Sequence, residues 1–344
     1  MRFFLLNFLF LSLFSCTTDN NQSSDASDSV SYISELIDND ILNDSLYFER
    51  ALINFSKRRY HASIKDLRQS LLLDSTNSDS HYLLGDILFI MLKQRDGDAS
   101  SIIESEQSFY RSIKFGFSDS LHAYQRLGEI NLYKKDYDES IYLLNKSLNI
   151  GEDNYTYILL SYAYMSLGDY DMAIESCHNS IEIDPRNKEA LLNLGNIYAQ
   201  KFDMKGIEYY DLVLSIDPLD RIAHYNKGIL YQNNLMYSEA QEAYHKLFED
   251  GVEDKFYVDA NYNLGFIFME DLKDYRNAIN YFADAIRVNP NHAYAYFSMG
   301  LCYQSLGDVV HAEKYYKRCL EIHPDNKDAQ NNLNQLLIDN EKYK

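Results

Sequence analysis

Residues 293–326 read AYAYFSMGLCYQSLGDVVHAEKYYKRCLEIHPDN. In the first half, Tyr296, Met299, Gly300 and Tyr303 follow the i, i+3, i+4, i+7 spacing of one helical face. Ser305-Leu306-Gly307-Asp308 has the composition of a turn. Ala312, Tyr316, Cys319 and Leu320 then form the apolar stripe of a second helix. His323-Pro324 stops it, because proline lacks an amide hydrogen and pushes the residue before it out of the α region. The stretch is a helix–turn–helix unit.

The unit repeats. All four prolines close the same phrase: IEIDP at Pro185, LSIDP at Pro218, IRVNP at Pro290 and LEIHP at Pro324. Their spacings are 33, 72 and 34 residues, the longest being two units of 36. A fixed period of about 34 residues means stacked copies of one supersecondary unit. A second mark alternates with the prolines. Gly85, Gly128, Gly195, Gly228, Gly265 and Gly300 sit inside predicted first helices, where glycine costs ~1 kcal/mol relative to alanine. That cost is tolerated where two helices approach closely. The facing small residues are expected to be Ala173, Ser180, Gly206, Ala240, Ala278, Ala285, Ala312 and Cys319.

With glycine, alanine, aromatic and proline in register, the pattern resembles the tetratricopeptide repeat (TPR), tyrosine standing for the family's tryptophan. Reading outward gives an all-α fold, an α-solenoid of about eight repeats over 44–326. Their bounds are roughly 44–77, 78–120, 121–153, 154–187, 188–220, 221–257, 258–292 and 293–326. The first is the most divergent, with Ala51 for glycine and Asp74-Ser75 for Asp-Pro. The second carries about nine extra residues around Lys93–Ser101, KQRDGDASS, expected between its helices. Residues 30–43 are expected to form an N-terminal cap helix and 327–344 a polar-faced C-terminal one. The resemblance implies about one turn of a right-handed superhelix with an inner groove.

The amino terminus carries a different signal. MRFFLLNFLFLSLFS places Arg2 before an apolar run and ends next to Cys16. This has the pattern of a secretory signal, and the run is too short for the ~20 residues of a spanning helix. It resembles a bacterial lipoprotein signal over residues 1–15, which implies lipidation of Cys16 and, with no aspartate following it, an outer-membrane location in the envelope. Residues 16–29 then read as the lipidated cysteine and a flexible polar tether.

The formal charge is −20, and loss of Arg2 with the leader makes it −21, so nucleic acid is a poor partner. Cys177, Cys302 and Cys319 lie at helical positions; small buried side chains are one reading and a Cys302–Cys319 disulfide in an oxidising compartment another. Hydrolase, phosphate-binding, zinc and calcium motifs are missing, and no two of the nine histidines are four apart. No cofactor, metal or enzymatic activity is expected.

What remains is an aromatic face on the first helices: Tyr155, Ile158, Tyr162 and Met165; Ile222, Tyr225 and Ile229; Tyr262, Phe266 and Met269; Tyr294, Phe297 and Leu301. In tetratricopeptide arrays the corresponding face lines the concave groove, and tyrosine gives large contact area with a polar tip. Packing between adjacent repeats is the alternative. Ile158, Leu192, Tyr225, Asp259 and Asn263 stand where chaperone-binding members carry a basic clamp, so the groove suits a protein segment with basic flanks. The expected function is a non-enzymatic interaction scaffold, lipid-anchored in a bacterial envelope and holding an envelope protein. A surface glycan- or nutrient-binding lipoprotein is the competing expectation.

Overall fold

The computed structural model describes residues 25–94 and 99–342. Among them the regular elements are eighteen α-helices, one 3₁₀ turn and one π-helical turn, with no strand. The leader and Cys16 lie outside the described residues. Helix α1 (Asp25–Asn39) begins within the stretch expected to be tether, so the cap starts earlier than Val30. Among the described residues no helix is long and apolar enough to cross a membrane.

Eight helix pairs follow. They are α2 (Asp44–Ser56) with α3 (Tyr60–Leu73), α4 (Ser78–Lys93) with α5 (Ala99–Lys114), and α6 (Ser120–Lys134) with α7 (Tyr137–Leu148). Next come α8 (Asn154–Leu167) with α9 (Tyr170–Ile183), α10 (Lys188–Gln200) with α11 (Lys205–Ile216), and α12 (Arg221–Asn233) with α13 (Tyr237–His245). The last are α14 (Lys255–Phe266) with α15 (Tyr275–Val288) and α16 (Ala293–Ser305) with α17 (Val309–Ile322), followed by α18 (Lys327–Lys342). The chain divides into two compact units, Met1–Gly151 and Glu152–Lys344, which hold three and five pairs. In the second repeat part of the extra length extends the helices, since α4 and α5 have 16 residues each against 13 and 14 in α16 and α17.

The helix ends follow from local chemistry. Asp184, Asp217, Asn289 and His323, each before a proline, leave the helix with φ between −135° and −118°. Asp74 does the same at φ −128° without a proline, so the first repeat ends like those four. Asn or Asp side chains cap most helix starts, as where Asp169 accepts from the Met172 amide and Asp220 from the Ala223 amide. At the turn inside seven of the pairs, among the described residues, one residue is left-handed. Gly168 and Gly307 fill that place in the fourth and eighth repeats, but Arg58, Lys135, Phe202, Leu235 and Lys273 adopt φ of 54–62° elsewhere. Non-glycine residues held there cost ~1–2 kcal/mol each. The seventh repeat has one residue more between Gly265 and Ala278 than the eighth has between Gly300 and Ala312, and the π-helical turn Ile267–Asp271 absorbs it.

The glycines meet something other than small residues. A Cβ on Gly195, Gly228 or Gly300 would lie 2.5 Å from the ring of Tyr210, Tyr244 or Tyr316; on Gly265 it would lie 2.6 Å from Phe282. The glycine is a notch that receives a fully buried ring. The small residues on the second helix have a separate role, letting backbones touch: Ser140 Oγ donates to the Gly128 carbonyl at 2.9 Å, and a Cβ on Gly206 would sit 2.9 Å from the Gly195 carbonyl oxygen. Where the notch is filled, the partner shrinks, as with Ser161 opposite Cys177. Cys177, Cys302 and Cys319 are buried free thiols, so the Cys302–Cys319 disulfide is absent.

In the Glu152–Lys344 unit three successive repeats are also tied to the next at their first residues. Asn187 Nδ2 donates to Asn154 Oδ1 at 2.8 Å, Lys188 pairs with Asp220 at 2.8 Å, and Arg221 pairs with Asp254 at 2.8 Å. The first helices α8, α10, α12 and α14 pack successively on one another, while successive second helices do not pack to that extent. The first helices therefore crowd to the inner side of this unit.

Candidate functional site: the inner face of the first helices

In the Glu152–Lys344 unit the aromatic residues do not form an open row. Of the thirteen residues expected on that face, Ile158, Met165 and Met269 are buried and cannot touch a ligand. Tyr155, Tyr162, Ile222, Tyr225, Ile229, Tyr262, Phe266, Phe297 and Leu301 are half-buried, and of the thirteen only Tyr294, 56% exposed, lies largely open.

The half-buried rings seal one repeat against the next. Tyr225 on α12 packs 5.6 Å from Phe256 of α14 and 6.0 Å from Tyr244. Tyr262 on α14 stacks on His292 at 4.9 Å, in the turn before α16. Phe266 joins a cluster with Met269, Phe282 and Met299, and Phe297 packs towards Tyr316, Leu333 and Leu336. Each keeps part of its surface accessible. Tyr162 donates to Glu189 Oε1 of α10 at 2.8 Å; burial first, and then the glutamate charge, raises its phenol pKa. Burial likewise raises the phenol of Tyr262.

An amide row, not anticipated from the sequence, runs beside the rings. Asn193 donates to Ser161 Oγ at 3.0 Å, Asn226 to Asn196 Oδ1 at 2.8 Å, and Asn263 to the Tyr244 hydroxyl at 3.2 Å. The notch tyrosines reach the same row, Tyr210 donating to Asn196 Oδ1 at 2.8 Å and Tyr244 to Gln232 Oε1 at 2.9 Å. The signal was present in the sequence, since Asn193, Asn226 and Asn263 each stand two residues before the notch glycine. Asn193 and Asn263 are themselves buried, so the accessible surface is phenol, the amides of Asn196, Asn226 and Gln232, and carboxylate over an apolar seam, with Glu189 and Asp259 supplying negative charge.

In the Met1–Gly151 unit the corresponding positions are charged. Lys93 donates to Glu129 Oε1 at 2.7 Å and Arg126 to Glu129 Oε2 at 2.8 Å. Arg126 Nε also lies 2.8 Å from Asp86 Oδ1, as an ion pair outside hydrogen-bond geometry. Both carboxylates are nearly buried, yet they differ. For Asp86 burial outweighs the arginine and raises the carboxyl pKa; for Glu129 the opposing burial is outweighed by Arg126 and Lys93, and the pKa falls. The absence of a basic clamp, expected from the sequence, needs this amendment: inner-face cations exist here, but they are matched within the protein. Among the described residues no group of three or more His, Cys, Asp or Glu is placed to hold a metal.

The helix-pair geometry, the notch glycines and the inner face define a repeat solenoid. Tetratricopeptide-repeat family models match residues 258–292 and 293–326, and a TPR-repeat model matches 162–201. A solved tetratricopeptide repeat protein from Parabacteroides merdae superposes with TM-score 0.52 at 14% identity, covering 75% of this chain and 98% of that one. Among curated proteins, the Hsp70-Hsp90 organizing protein of Triticum aestivum is 27% identical over 57% of this chain and 34% of its own length. The BBSome complex member BBS4 of Bos taurus is 24% identical over 57% of this chain and 44% of its own. The chain spans less than half the length of either relative. It is an α-solenoid built of tetratricopeptide repeats.

Proposed function

We propose that the protein is a non-enzymatic scaffold that binds a segment of a partner protein along the inner face of its first helices. The observation that carries this is the accessible edge of the aromatic seam in the Glu152–Lys344 unit. There half-buried phenols, the amides of Asn196, Asn226 and Gln232, Glu189 and Asp259 offer polar partners over an apolar floor. Such a surface suits an extended or helical segment with basic flanks. Relatives whose names describe organizing or complex-member proteins agree with that class. The glycan alternative gains no support, because Tyr225 and Tyr262 pack against neighbouring rings, not outward as free stacking faces.

The anchor and the partner's compartment belong to the same proposal. The leader and Cys16 support lipid attachment and an envelope partner, with the outer membrane as the expected site. The test is affinity capture from detergent-solubilised envelopes, comparing the full chain with Tyr294→Ser/Ile222→Ser. This pair avoids Tyr225 and Phe266, whose rings the fold needs. A partner captured by the parent and lost from the variant, with far-UV dichroism unchanged, is the expected result. Equal capture by both would remove the inner face from the reading. Labelling with palmitate should fail for Cys16→Ser; retained label would move the lipid elsewhere.

A further inference from the structure

The seventh repeat contains a cavity away from the inner face, and its origin is a missing ring. The residue four places before each notch position is aromatic in six repeats: Tyr47, His81, Tyr124, Tyr157, His224 and Tyr296. Leu191 fills the place in the fifth repeat, and the seventh has Asn261. In the eighth repeat Tyr296 lies over Tyr315, stacked at 6.2 Å. Tyr281 is the counterpart of Tyr315 in the seventh repeat, since each immediately precedes its notch ring. Asn261 does not reach it. Its amide turns back and donates to the Tyr257 carbonyl of its own helix at 2.9 Å. The space over Tyr281 is a cavity of about 330 Å³.

The preceding repeat completes the walls. Helix α13 stops at His245 and tightens into a 3₁₀ turn at Lys246–Phe248, which sets Phe248 4.9 Å from the ring of Tyr257. His245 lies 5.7 Å from Phe248 and 6.2 Å from Tyr281, ring to ring. Burial lowers the pKa of this histidine, so at pH 7 it adds a neutral ring and not a positive charge. Two carboxylates, Glu253 and Asp284, complete the lining.

We propose that this cavity binds an alkylammonium group, held by the faces of Phe248, Tyr257 and Tyr281 and by the Asp284 carboxylate. Aromatic faces carry negative potential and attract cations, most strongly where water is excluded. The protein already uses one of them in this way, with the Arg287 guanidinium carbon 5.9 Å over the Tyr257 ring. Arg287 is committed to Glu253, donating to both of its oxygens at 2.9 and 2.7 Å. Asp284 keeps a looser contact of 3.6 Å with Arg287. One carboxylate therefore remains under-matched beside several rings. The same charge disfavours an anionic ligand, and a chain of net charge −20 reinforces that bias. The site is independent of the inner face, because Asn261 faces the preceding repeat and the neighbouring Tyr262 the following one.

The test is isothermal titration of the full chain with choline, with its neutral isostere 3,3-dimethylbutan-1-ol, and with Nα-acetyl-lysine methylamide. Choline or the lysine amide should bind at least roughly tenfold more tightly than the isostere, the scale of one desolvated cation–aromatic contact. The stronger of the two cations identifies the source as a free quaternary ammonium or a partner's lysine. Asn261→Tyr restores the ring found in the eighth repeat and should abolish binding while leaving the cage residues and the fold in place. Asp284→Asn should weaken both cations and leave the isostere unchanged. Equal affinity for the isostere, no heat with either cation, or binding that survives Asn261→Tyr would overturn the assignment.

Discussion

Replacing Gly228 by alanine separates two physical effects of opposite sign. Helix propensity alone predicts a gain, since alanine in a helix interior is favoured over glycine by ~1 kcal/mol. The notch predicts a loss. The new Cβ would lie 2.5, 2.7 and 2.9 Å from Cε1, Cδ1 and Cζ of Tyr244, distances that force the ring or the helix to move. The ring has nowhere to go. Tyr244 is fully buried, donates to Gln232 at 2.9 Å, accepts from Asn263 at 3.2 Å and packs 6.0 Å from Tyr225. Overpacking of this kind costs ~1–3 kcal/mol, and each hydrogen bond stretched by the ring's displacement adds ~0.5–1.5 kcal/mol. The net expectation is a loss of about 1–3 kcal/mol after the propensity gain is subtracted.

Urea unfolding followed by far-UV dichroism reads the global change, and amide exchange in α12 and α13 reads the local one. In a solenoid damage falls on the repeat that carries it, so lost protection should centre on those helices. Gly85→Ala supplies the internal ranking. Its Cβ would approach Phe109 no closer than 3.1 Å, so it should cost clearly less and fall near neutral. A companion, Gly228→Ala/Tyr244→Leu, copies the first repeat, where Ala51 and Leu67 share one buried cluster. Its loss should be smaller than the sum of the two single losses. A stabilised Gly228→Ala protein, or a Gly85→Ala protein that loses more than it, would refute the notch.

Three further outcomes follow from particular side chains. Leu235 is held at φ 61° and is 70% exposed, so Leu235→Gly should stabilise by ~0.5–1 kcal/mol as left-handed strain is relieved; a lowered urea midpoint would contradict this. Arg126→Met should destabilise by somewhat less than the ~3–5 kcal/mol of a fully buried broken pair, because the arginine is partly exposed. That deficit should shrink on acidification as Asp86, whose carboxyl burial already raises, takes up a proton; an equal deficit at pH 7 and pH 5 would count against the network. His292 caps α16 through Nδ1, accepting from the Ala295 amide at 3.1 Å, and burial lowers its pKa. The unfolded chain therefore binds the proton first, and stability attributable to this group is full above the unfolded value near 6.5 and declines as pH falls below it. His292→Asn keeps an acceptor without a proton to gain but loses the ring stacked on Tyr262, so it should melt below the parent at pH 8 and that deficit should shrink by pH 5; a deficit equal at both pH values would count against the linkage.

The fold was legible because its punctuation is backbone chemistry. Proline and helix-interior glycine act through geometry that holds wherever the residue stands, so Pro185 and Gly228 could be read singly. The helix starting at Asp25 was less legible, since ASDS composition suits a tether as well as a helix N-terminus. The site was legible only as a face. Periodicity placed Tyr162, Tyr225, Tyr262 and Phe266 on one face, and the resemblance to tetratricopeptide arrays put that face on the inner side, but a stripe carries no information about how far the next repeat covers it. Tyr225 is half-buried because Phe256 and Tyr244 happen to close on it, a three-helix relation that no single helix encodes. The glycines carry the same lesson in the other direction. Small residues were expected to face small residues, whereas Gly195, Gly228, Gly265 and Gly300 each make room for a ring. Complementarity of volume, not similarity, is what the pairs conserve within this chain, and Ser161 with Cys177 shows it at the opposite size. By that logic the informative position is the one that breaks the exchange without a compensating partner. Asn261 is such a position: the ring is lost, Tyr281 stays, no neighbour grows to fill the gap, and the space remains open for something from outside.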